Sequence, residues 1–189
     1  GSRFKDGALR NPAGQVFMKG RESSEWLAQN LRSTRNFIRK WGHMVKHDEL
    51  MYPIIPPKYD VGFKAYNCDI NMLRELEPWC SVIYLDSRAS DDMTKYRNEE
   101  NSNTLYDLHE RIKLHGTVDL TKYHDIIVEF DCQKLTPQNF QTLVNLSDIL
   151  KESGEVGEME LEIFKFYITS LDSYDGELVI NKRLMGEVK

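Results

Sequence analysis

The chain has 189 residues but only three cysteines, Cys68, Cys80 and Cys132, whose spacing matches neither a zinc nor a redox motif. An odd number of cysteines without paired spacing does not suit a disulfide framework and favours a reduced, cytoplasmic protein. No apolar run approaches the length of a membrane span, and no signal peptide is visible. The sequence therefore predicts a chain without a membrane span.

The sequence also lacks a glycine-rich phosphate loop, a nucleophile elbow and a cysteine–histidine nucleophile signature. These absences argue against the enzyme classes that such motifs define. There is no internal repeat and no low-complexity tract, which argues against repeat architectures.

Charge is distributed unevenly along the chain, whose net charge is −5. Residues 1–47 contain ten Lys/Arg against three Asp/Glu, and the rest contains fifteen against twenty-seven. This asymmetry indicates that the first segment meets something acidic: a nucleotide phosphate, a nucleic acid, or the second part of the same chain. The overall acidity and the lack of a recognised motif argue against nucleic acid.

Three regions follow from the pattern of apolar residues and prolines. Residues 1–50 combine a loop with a basic amphipathic helix over about 23–46, whose apolar residues recur at three- and four-residue steps. Residues 51–57 are a proline-rich connector. Residues 58–189 read as a small α/β domain, so we interpret residues 1–50 as the remnant of an upstream domain.

Strands and helices alternate after residue 58. Strands are predicted over 59–67, 81–86, 124–131 and 178–180, helices after Asp69, over about 104–115 and from Thr136-Pro137, and a loop over 87–102. Residues 158–170 alternate as a strand with a bulge, with a helix as the alternative. The order predicts a three-layer α/β domain with a mostly parallel, Rossmann-like or flavodoxin-like sheet.

Aspartates lie at the predicted strand ends. Asp86 and Asp131 each close an apolar strand, and Asp69 lies just past the first one. Ligands of open parallel sheets bind at the carboxyl ends of the strands, where such carboxylates could hold Mg²⁺ or polar groups. The alternative is that each aspartate caps the next helix or loop.

A phosphoryl- or nucleotide-handling enzyme using Asp86 and Asp131 is a further hypothesis. A receiver-like phospho-acceptor site would add a hydroxyl from Thr169 or Ser170 and the amine of Lys182. The short gap between Ser170 and Lys182 argues against that arrangement, because it leaves no room for a helix between parallel strands.

Two further clusters belong to the first segment. His43 and His47 lie four residues apart at the predicted helix end, where they could share a zinc ion or interact with the helix dipole. The basic face of the helix carries four cationic side chains, Arg35, Arg39, Lys40 and Lys46. It is either a phosphate-binding surface beside Trp41 or a face that is solvated or paired with acidic neighbours.

The segment Asn36-Phe37-Ile38-Arg39-Lys40-Trp41-Gly42 resembles the aromatic-x-x-Lys-Trp-Gly ending of family-2-type, GT-A-fold nucleotide-sugar glycosyltransferases. In that family this helix closes the catalytic domain. The opening Gly1-Ser2-Arg3-Phe4 is also similar to a Gly-Ser that follows a metal-binding histidine in many members. The resemblance covers about residues 1–45 and carries over Lys40, Trp41 and Gly42 as motif positions.

The resemblance implies a parent enzyme that transfers sugar from a nucleotide-sugar donor with Mg²⁺ or Mn²⁺. It also implies that this chain is not catalytic alone, since the chain has no Asp-x-Asp metal motif in the family's order. We expect an accessory C-terminal domain that works with an upstream catalytic domain in acceptor or phosphate-group recognition or assembly. The candidate ligand-binding residues are Asp69, Asp86, Asp131, Arg39, Lys40 and Trp41. A non-enzymatic protein-interaction module is the alternative.

Overall fold

A computed structural model of the chain describes residues 23–173. The chain forms two compact units, Gly1–Ser33 and Thr34–Lys189. The division lies earlier than the boundary near residue 50 that the sequence suggested. The origin of residues 1–50 in an upstream domain stays a prediction.

The helices and strands between residues 23 and 173 follow one another in an alternating order. They are α1 (Ser24–Trp41), β1 (Lys46–His47), β2 (Pro53–Ile54), β3 (Val61–Tyr66), α2 (Ile70–Leu76), β4 (Val82–Leu85), α3 (Ser90–Glu100), α4 (Leu108–Arg111), β5 (Ile112–Leu114), β6 (Ile126–Asp131), α5 (Pro137–Val144), α6 (Leu146–Ser153), β7 (Gly157–Leu161) and β8 (Phe164–Ile168). Short 3-10 turns lie between several of them.

Six strands form one mostly parallel sheet with the order β5-β4-β3-β6-β8-β7. Strands β3, β4, β5 and β6 pair with one another in parallel. The β7–β8 hairpin adds an antiparallel edge next to β6. Strands β3 and β6 bury the face that meets the helices and carry partly buried charged residues, Lys64 and Glu129, on the other face. The predicted α/β class, with a mostly parallel sheet and flanking helices, is confirmed.

The main core lies on one face of the sheet. Phe63 and Ala65 of β3 are fully buried there, and helices α2 to α6 all place their buried apolar residues in the same cluster. On the opposite face, Leu120 from the crossover between β5 and β6 forms a smaller cluster with Tyr84 and Ile127. The two faces are therefore very unequally packed.

A row of aromatic rings crosses the centre of the main core. Phe63 on β3 meets Phe130 on β6 edge to face, with ring centroids 5.6 Å apart. Phe130 in turn meets Phe164 on β8 at 5.3 Å, and Phe166 follows at 6.3 Å from Phe164. The row joins the parallel part of the sheet to its antiparallel edge, and such edge-to-face pairs add stability beyond burial.

The first helix is shorter than predicted. It begins after Ser23, whose side-chain oxygen accepts a hydrogen bond from Trp26, and ends at Trp41 rather than near residue 46. Gly42 follows with φ +77°, a left-handed conformation that stops a helix. The Lys58 ammonium donates to the carbonyls of Arg39 and Lys40, at 2.7 and 3.0 Å, and so satisfies the last turn. Burial lowers the pKa of Lys58 to about 8.

Two predictions in the middle of the chain are wrong. The expected loop over 87–102 contains α3, and the expected helix over 104–115 holds only α4 before β5 begins at Ile112. The inward face of α3 is Met93, Tyr96 and Glu100, a mixture that gives little apolar periodicity. Ile112 pairs with Ile83 across the sheet, so the apolar residue assigned to a helix face belongs to a strand.

Two further predictions need correction, because Pro53–Ile54 of the expected connector forms β2, paired with β1, and the helix predicted from Thr136-Pro137 is divided into α5 and α6. Other elements agree with the sequence. Asp69 caps α2, and Thr136 and Asn139 form a capping box that opens α5. Residues 158–170 form strands, as favoured over the helix. The alternation changes phase at a two-residue turn, where Glu162 has φ +56°, and not at a bulge. The strand predicted over 178–180 lies outside the described residues.

A buried ion cluster ties the end of α1 to the helices that follow it. It contains five charged residues, Arg35, Arg39, Glu77, Glu100 and Arg111. The Arg39 guanidinium lies 2.6 Å from a Glu77 oxygen and 2.9 Å from a Glu100 oxygen, and Arg111 binds the other Glu77 oxygen. Arg39 and Glu77 are both inaccessible to solvent, so each charge depends on its partners.

Candidate functional site

The strand order reverses between β3 and β6. The chain runs from β3 outward through β4 to β5, then returns to lay β6 on the other side of β3. In an open α/β sheet, ligands bind in the crevice beyond the carboxyl ends of the strands at such a switch point. The residues that follow β3, β4 and β6 therefore define the candidate site.

Asn67, the first residue after β3, connects the three strand ends. Its backbone N–H donates to a carboxylate oxygen of Asp86 at 2.8 Å, and its side-chain amide donates to Asp131 at 2.9 Å. Its amide oxygen accepts from the Arg88 guanidinium at 2.7 Å. The backbone of Asn67 has φ +53°, which asparagine adopts more readily than most side chains. We call these four residues the strand-end site.

The predicted aspartates are capping residues as well. Asp69 accepts from the N–H of Met72, and Asp86 and Asp131 each accept from the N–H two residues further on. Asp86 and Asp131 therefore each cap the turn that follows them, and Asn67 also joins them to each other. Asp69 lies exposed in the same loop as Asn67.

Hydrogen bonds keep the two joined carboxyl groups ionised. The backbone hydrogen bond from Asn67 lowers the pKa of Asp86, and the side-chain hydrogen bond from Asn67 lowers the pKa of Asp131. Arg88, with most of its side chain exposed, is the cation of the strand-end site. Two carboxylates against one guanidinium make this site acidic, which disfavours phosphate.

An aromatic wall adjoins the strand-end site on the thinly packed face of the sheet. Tyr66, the last residue of β3, donates its hydroxyl to Glu129 at 3.0 Å, and Lys64 binds the other oxygen of Glu129 at 3.1 Å. The Tyr66 ring meets the His115 ring at 5.2 Å. Within residues 23–173 the buried Nε2 atom of His115 has no hydrogen-bond partner.

The sequence predicted Asp69, Asp86 and Asp131 but not Asn67, Arg88 or the aromatic wall of Tyr66 and His115. One signal was present: Asn67 directly follows the first strand of the sheet, where a polar side chain faces the carboxyl edge. The partners of Tyr66 could not be inferred, because Glu129 comes from a strand far along the chain.

The basic helix residues do not join these carboxylates. Arg39 is buried in the ion cluster, near Val61 and Ser81 at the amino ends of β3 and β4. Lys40 lies over the ring of Trp41, 5.1 Å from its centroid. Arg35 and Arg39 both form ion pairs with Glu100, in agreement with the alternative that the basic face pairs with acidic neighbours.

The two histidines lie outside α1, so the helical spacing that suggested a shared zinc ion does not apply. His43 is buried, with Nδ1 2.5 Å from the carbonyl oxygen of Met44 and its ring against Phe37. His47 is exposed on β1. Between residues 23 and 173 there is no group of three His, Cys, Asp or Glu side chains placed to hold a metal ion. The Mg²⁺ or Mn²⁺ implied for a parent enzyme stays a prediction.

In the part of the chain that the structure describes, no helix combines the length and the apolar content that crossing a membrane requires. Comparison with protein-family models, curated proteins and solved structures finds no match to this chain.

Proposed function

We propose that the chain is an accessory domain of a glycosyltransferase and that the strand-end site binds sugar groups of the acceptor. The observation that carries this proposal is Asn67, which joins Asp86 and Asp131 at the switch point of the sheet. The domain contributes recognition, and the bond-breaking chemistry belongs to an upstream catalytic domain that uses a nucleotide sugar with Mg²⁺ or Mn²⁺.

The chemistry of the strand-end site suits hydroxyl groups. A sugar hydroxyl both donates and accepts, and this site offers carboxylate acceptors and a guanidinium donor. The neighbouring Tyr66 ring offers an apolar surface for the C–H face of a sugar. A phosphate would meet the two carboxylates, so of the acceptor and phosphate groups expected from the sequence we favour the sugar.

The same geometry supports binding over proton transfer. The carboxyl groups of Asp86 and Asp131 have lowered pKa values, so both remain ionised near neutral pH. A general acid at that pH needs a raised pKa. The likeness of Lys40-Trp41-Gly42 to the glycosyltransferase ending supports the choice of parent enzyme.

The proposal is tested by titrating the full chain with glucose, N-acetylglucosamine, UDP and UDP-glucose, with and without Mg²⁺ or Mn²⁺, by calorimetry. We expect a free sugar to bind, with the metal making no difference. Asn67→Gly keeps the left-handed backbone and removes both side-chain hydrogen bonds, and Asp131→Asn removes one charge. Each variant is expected to weaken binding roughly tenfold or more, the effect of losing a charged hydrogen bond.

Asp119→Asn is the matched control, because Asp119 caps the short turn Leu120–Lys122 in the same way, away from the strand-end site. It should bind sugar as the unchanged chain does. Equal losses in Asp119→Asn and Asp131→Asn, or no sugar binding by the unchanged chain, would contradict the proposal.

A second candidate function, a non-enzymatic interaction module, is favoured by the β1–β2 hairpin. Seven apolar residues in the hairpin or directly beside it leave two fifths or more of their surface exposed: Met44, Val45, Leu50, Met51, Tyr52, Ile54 and Ile55. The Asp48 carboxylate accepts from the N–H groups of Leu50 and Tyr52, at 2.9 and 2.8 Å, and fixes the turn. Large apolar residues exposed in this number within one short segment favour a protein interaction site.

This second candidate predicts a molar mass that rises with concentration and does not respond to UDP-glucose or Mg²⁺. Leu50→Lys combined with Ile55→Lys should abolish the rise in light scattering, because it places charges in the apolar surface. Leu105→Lys is the control, since Leu105 is 89% exposed but lies elsewhere. A mass that is constant over the whole concentration range speaks against self-association through the hairpin.

A further inference from the structure

Two buried cysteines each follow a residue of the strand-end site in the chain, Cys68 after Asn67 and Cys132 after Asp131. Tyr66, at the end of β3, pairs in parallel register with Asp131, at the end of β6. Cys68 comes two residues after Tyr66, and Cys132 comes one residue after Asp131. Both thiols are 6% exposed and belong to the main core. The hydrogen bond from Asn67 to Asp131 holds the two loops together.

The two thiol groups meet in the core. A hydrogen bond with the Cys132 side chain, followed by burial, raises the pKa of the Cys68 thiol. The Cys68 sulfur also lies 3.5 Å from the carbonyl oxygen of Asp69. Cys80 has other surroundings, since its sulfur lies 3.6 Å from the carbonyl oxygen of Glu77. The chain therefore contains one thiol pair and one separate buried thiol.

We propose that Cys68 and Cys132 are a modification site, where a small-molecule disulfide such as oxidised glutathione converts the thiol pair into an intramolecular disulfide. The bond would link the loop after β3 to the loop after β6. These loops carry Asn67 and Asp131, so the link fixes their spacing. This effect on ligand binding rests on the proposed function, but formation of the bond does not.

The reaction balances as thiol–disulfide exchange. The thiolate of one cysteine attacks the small-molecule disulfide and releases one small thiol, leaving a mixed disulfide. The second cysteine then attacks the protein sulfur, forms the bond between Cys68 and Cys132 and releases the second small thiol. The two cysteines lose two protons and two electrons, and the small disulfide gains both.

The buried position makes this reaction slow but selective. Attack requires a thiolate that can reach the disulfide, and two thiols that are each 6% exposed provide little of it. The pair consequently stays reduced until the loops open. Once a mixed disulfide has formed, the adjacent second thiol favours closure over attack by a distant cysteine.

The bond is tested on the full chain under native conditions. The protein is incubated with oxidised glutathione, quenched with acid, unfolded and alkylated, and its peptides are identified by mass spectrometry. We expect a crosslinked peptide pair containing Cys68 and Cys132, with Cys80 alkylated. Cys80→Ser should form the crosslink to the same extent, and Cys68→Ser and Cys132→Ser should form none.

Crosslinks that include Cys80, or a crosslink that appears only after urea is added, would overturn the proposal. Absence of the Cys68–Cys132 crosslink after prolonged incubation under native conditions would overturn it as well. Sugar titrations of the reduced and crosslinked chains give a separate readout, for which we expect a tenfold or larger difference. If neither form binds sugar, the proposed function fails while the crosslink result stands.

Discussion

Replacing Glu77 with glutamine is expected to lower the free energy of unfolding by about 3–5 kcal/mol, the cost of breaking a buried ion pair from one side. The Glu77 carboxylate is fully buried and accepts from Arg39 at 2.6 and 3.0 Å and from Arg111. Glutamine has nearly the same size but no charge. The substitution therefore leaves the guanidinium groups of Arg39 and Arg111 buried with less compensation.

Urea denaturation followed by circular dichroism measures this change. Glu99→Gln is the matched control, because Glu99 also binds an arginine, Arg74, at 2.8 Å but both side chains are partly exposed. Exposed pairs of this type contribute about 1 kcal/mol or less. Similar losses for the two variants would mean that burial of the Glu77 cluster has no special energetic role.

The same carboxylate gives stability a defined dependence on pH. Burial alone would raise the pKa of Glu77, but Arg111 and Arg39 outweigh it and lower the pKa from 4.5 to about 2. Because the folded-state pKa is the lower one, the stabilisation is complete above pH 4.5 and is lost as pH falls toward 2. A shift of this size corresponds to roughly 3 kcal/mol. As the pH falls from 4.5 toward 2, the free energy of unfolding should therefore decrease less for Glu77→Gln than for the unchanged chain.

Replacing Phe130 with alanine is expected to cost about 3–5 kcal/mol, as for other large-to-small changes in a core. Phe130 is 3% exposed and contacts Phe63 on one side and Phe164 on the other. Its removal opens a cavity where β3, β6 and β8 meet and ends both ring contacts. The junction between the parallel and antiparallel parts of the sheet should weaken most.

Phe130→Leu distinguishes the cost of the lost side-chain volume from the cost of the lost ring contacts. Leucine fills much of the cavity but makes no edge-to-face contact, so we expect a loss of about 1–2 kcal/mol. Thermal unfolding by calorimetry ranks the two variants against the unchanged chain. If alanine costs no more than leucine, the row of phenylalanines does not hold the sheet together.

The sheet could be predicted because its central strands carry their own signal. Short segments rich in apolar residues and bounded by polar residues mark β3, β4 and β6 in the sequence. Helix α3 could not be predicted in this way. Its inward residues Tyr96 and Glu100 face Arg39, so their burial depends on a charged partner far away in the chain.

Only part of the candidate site could likewise be predicted from the sequence. Asp86 and Asp131 were predicted because each ends an apolar strand. The part played by Asn67 depends on a left-handed backbone and on the adjacency of β3 to both β4 and β6. Periodicity reports which face a residue occupies, but it does not report which strands are neighbours.

The place of β3 in the sheet also affects the order in which the chain can fold. Residues 61–66 pair on one side with β4, which follows closely, but on the other side with residues 126–131. During translation one edge of β3 therefore lacks its partner until β6 has left the ribosome. The nascent chain must keep Phe63 and Val61 from aggregating during that interval, and closing so long a loop slows folding.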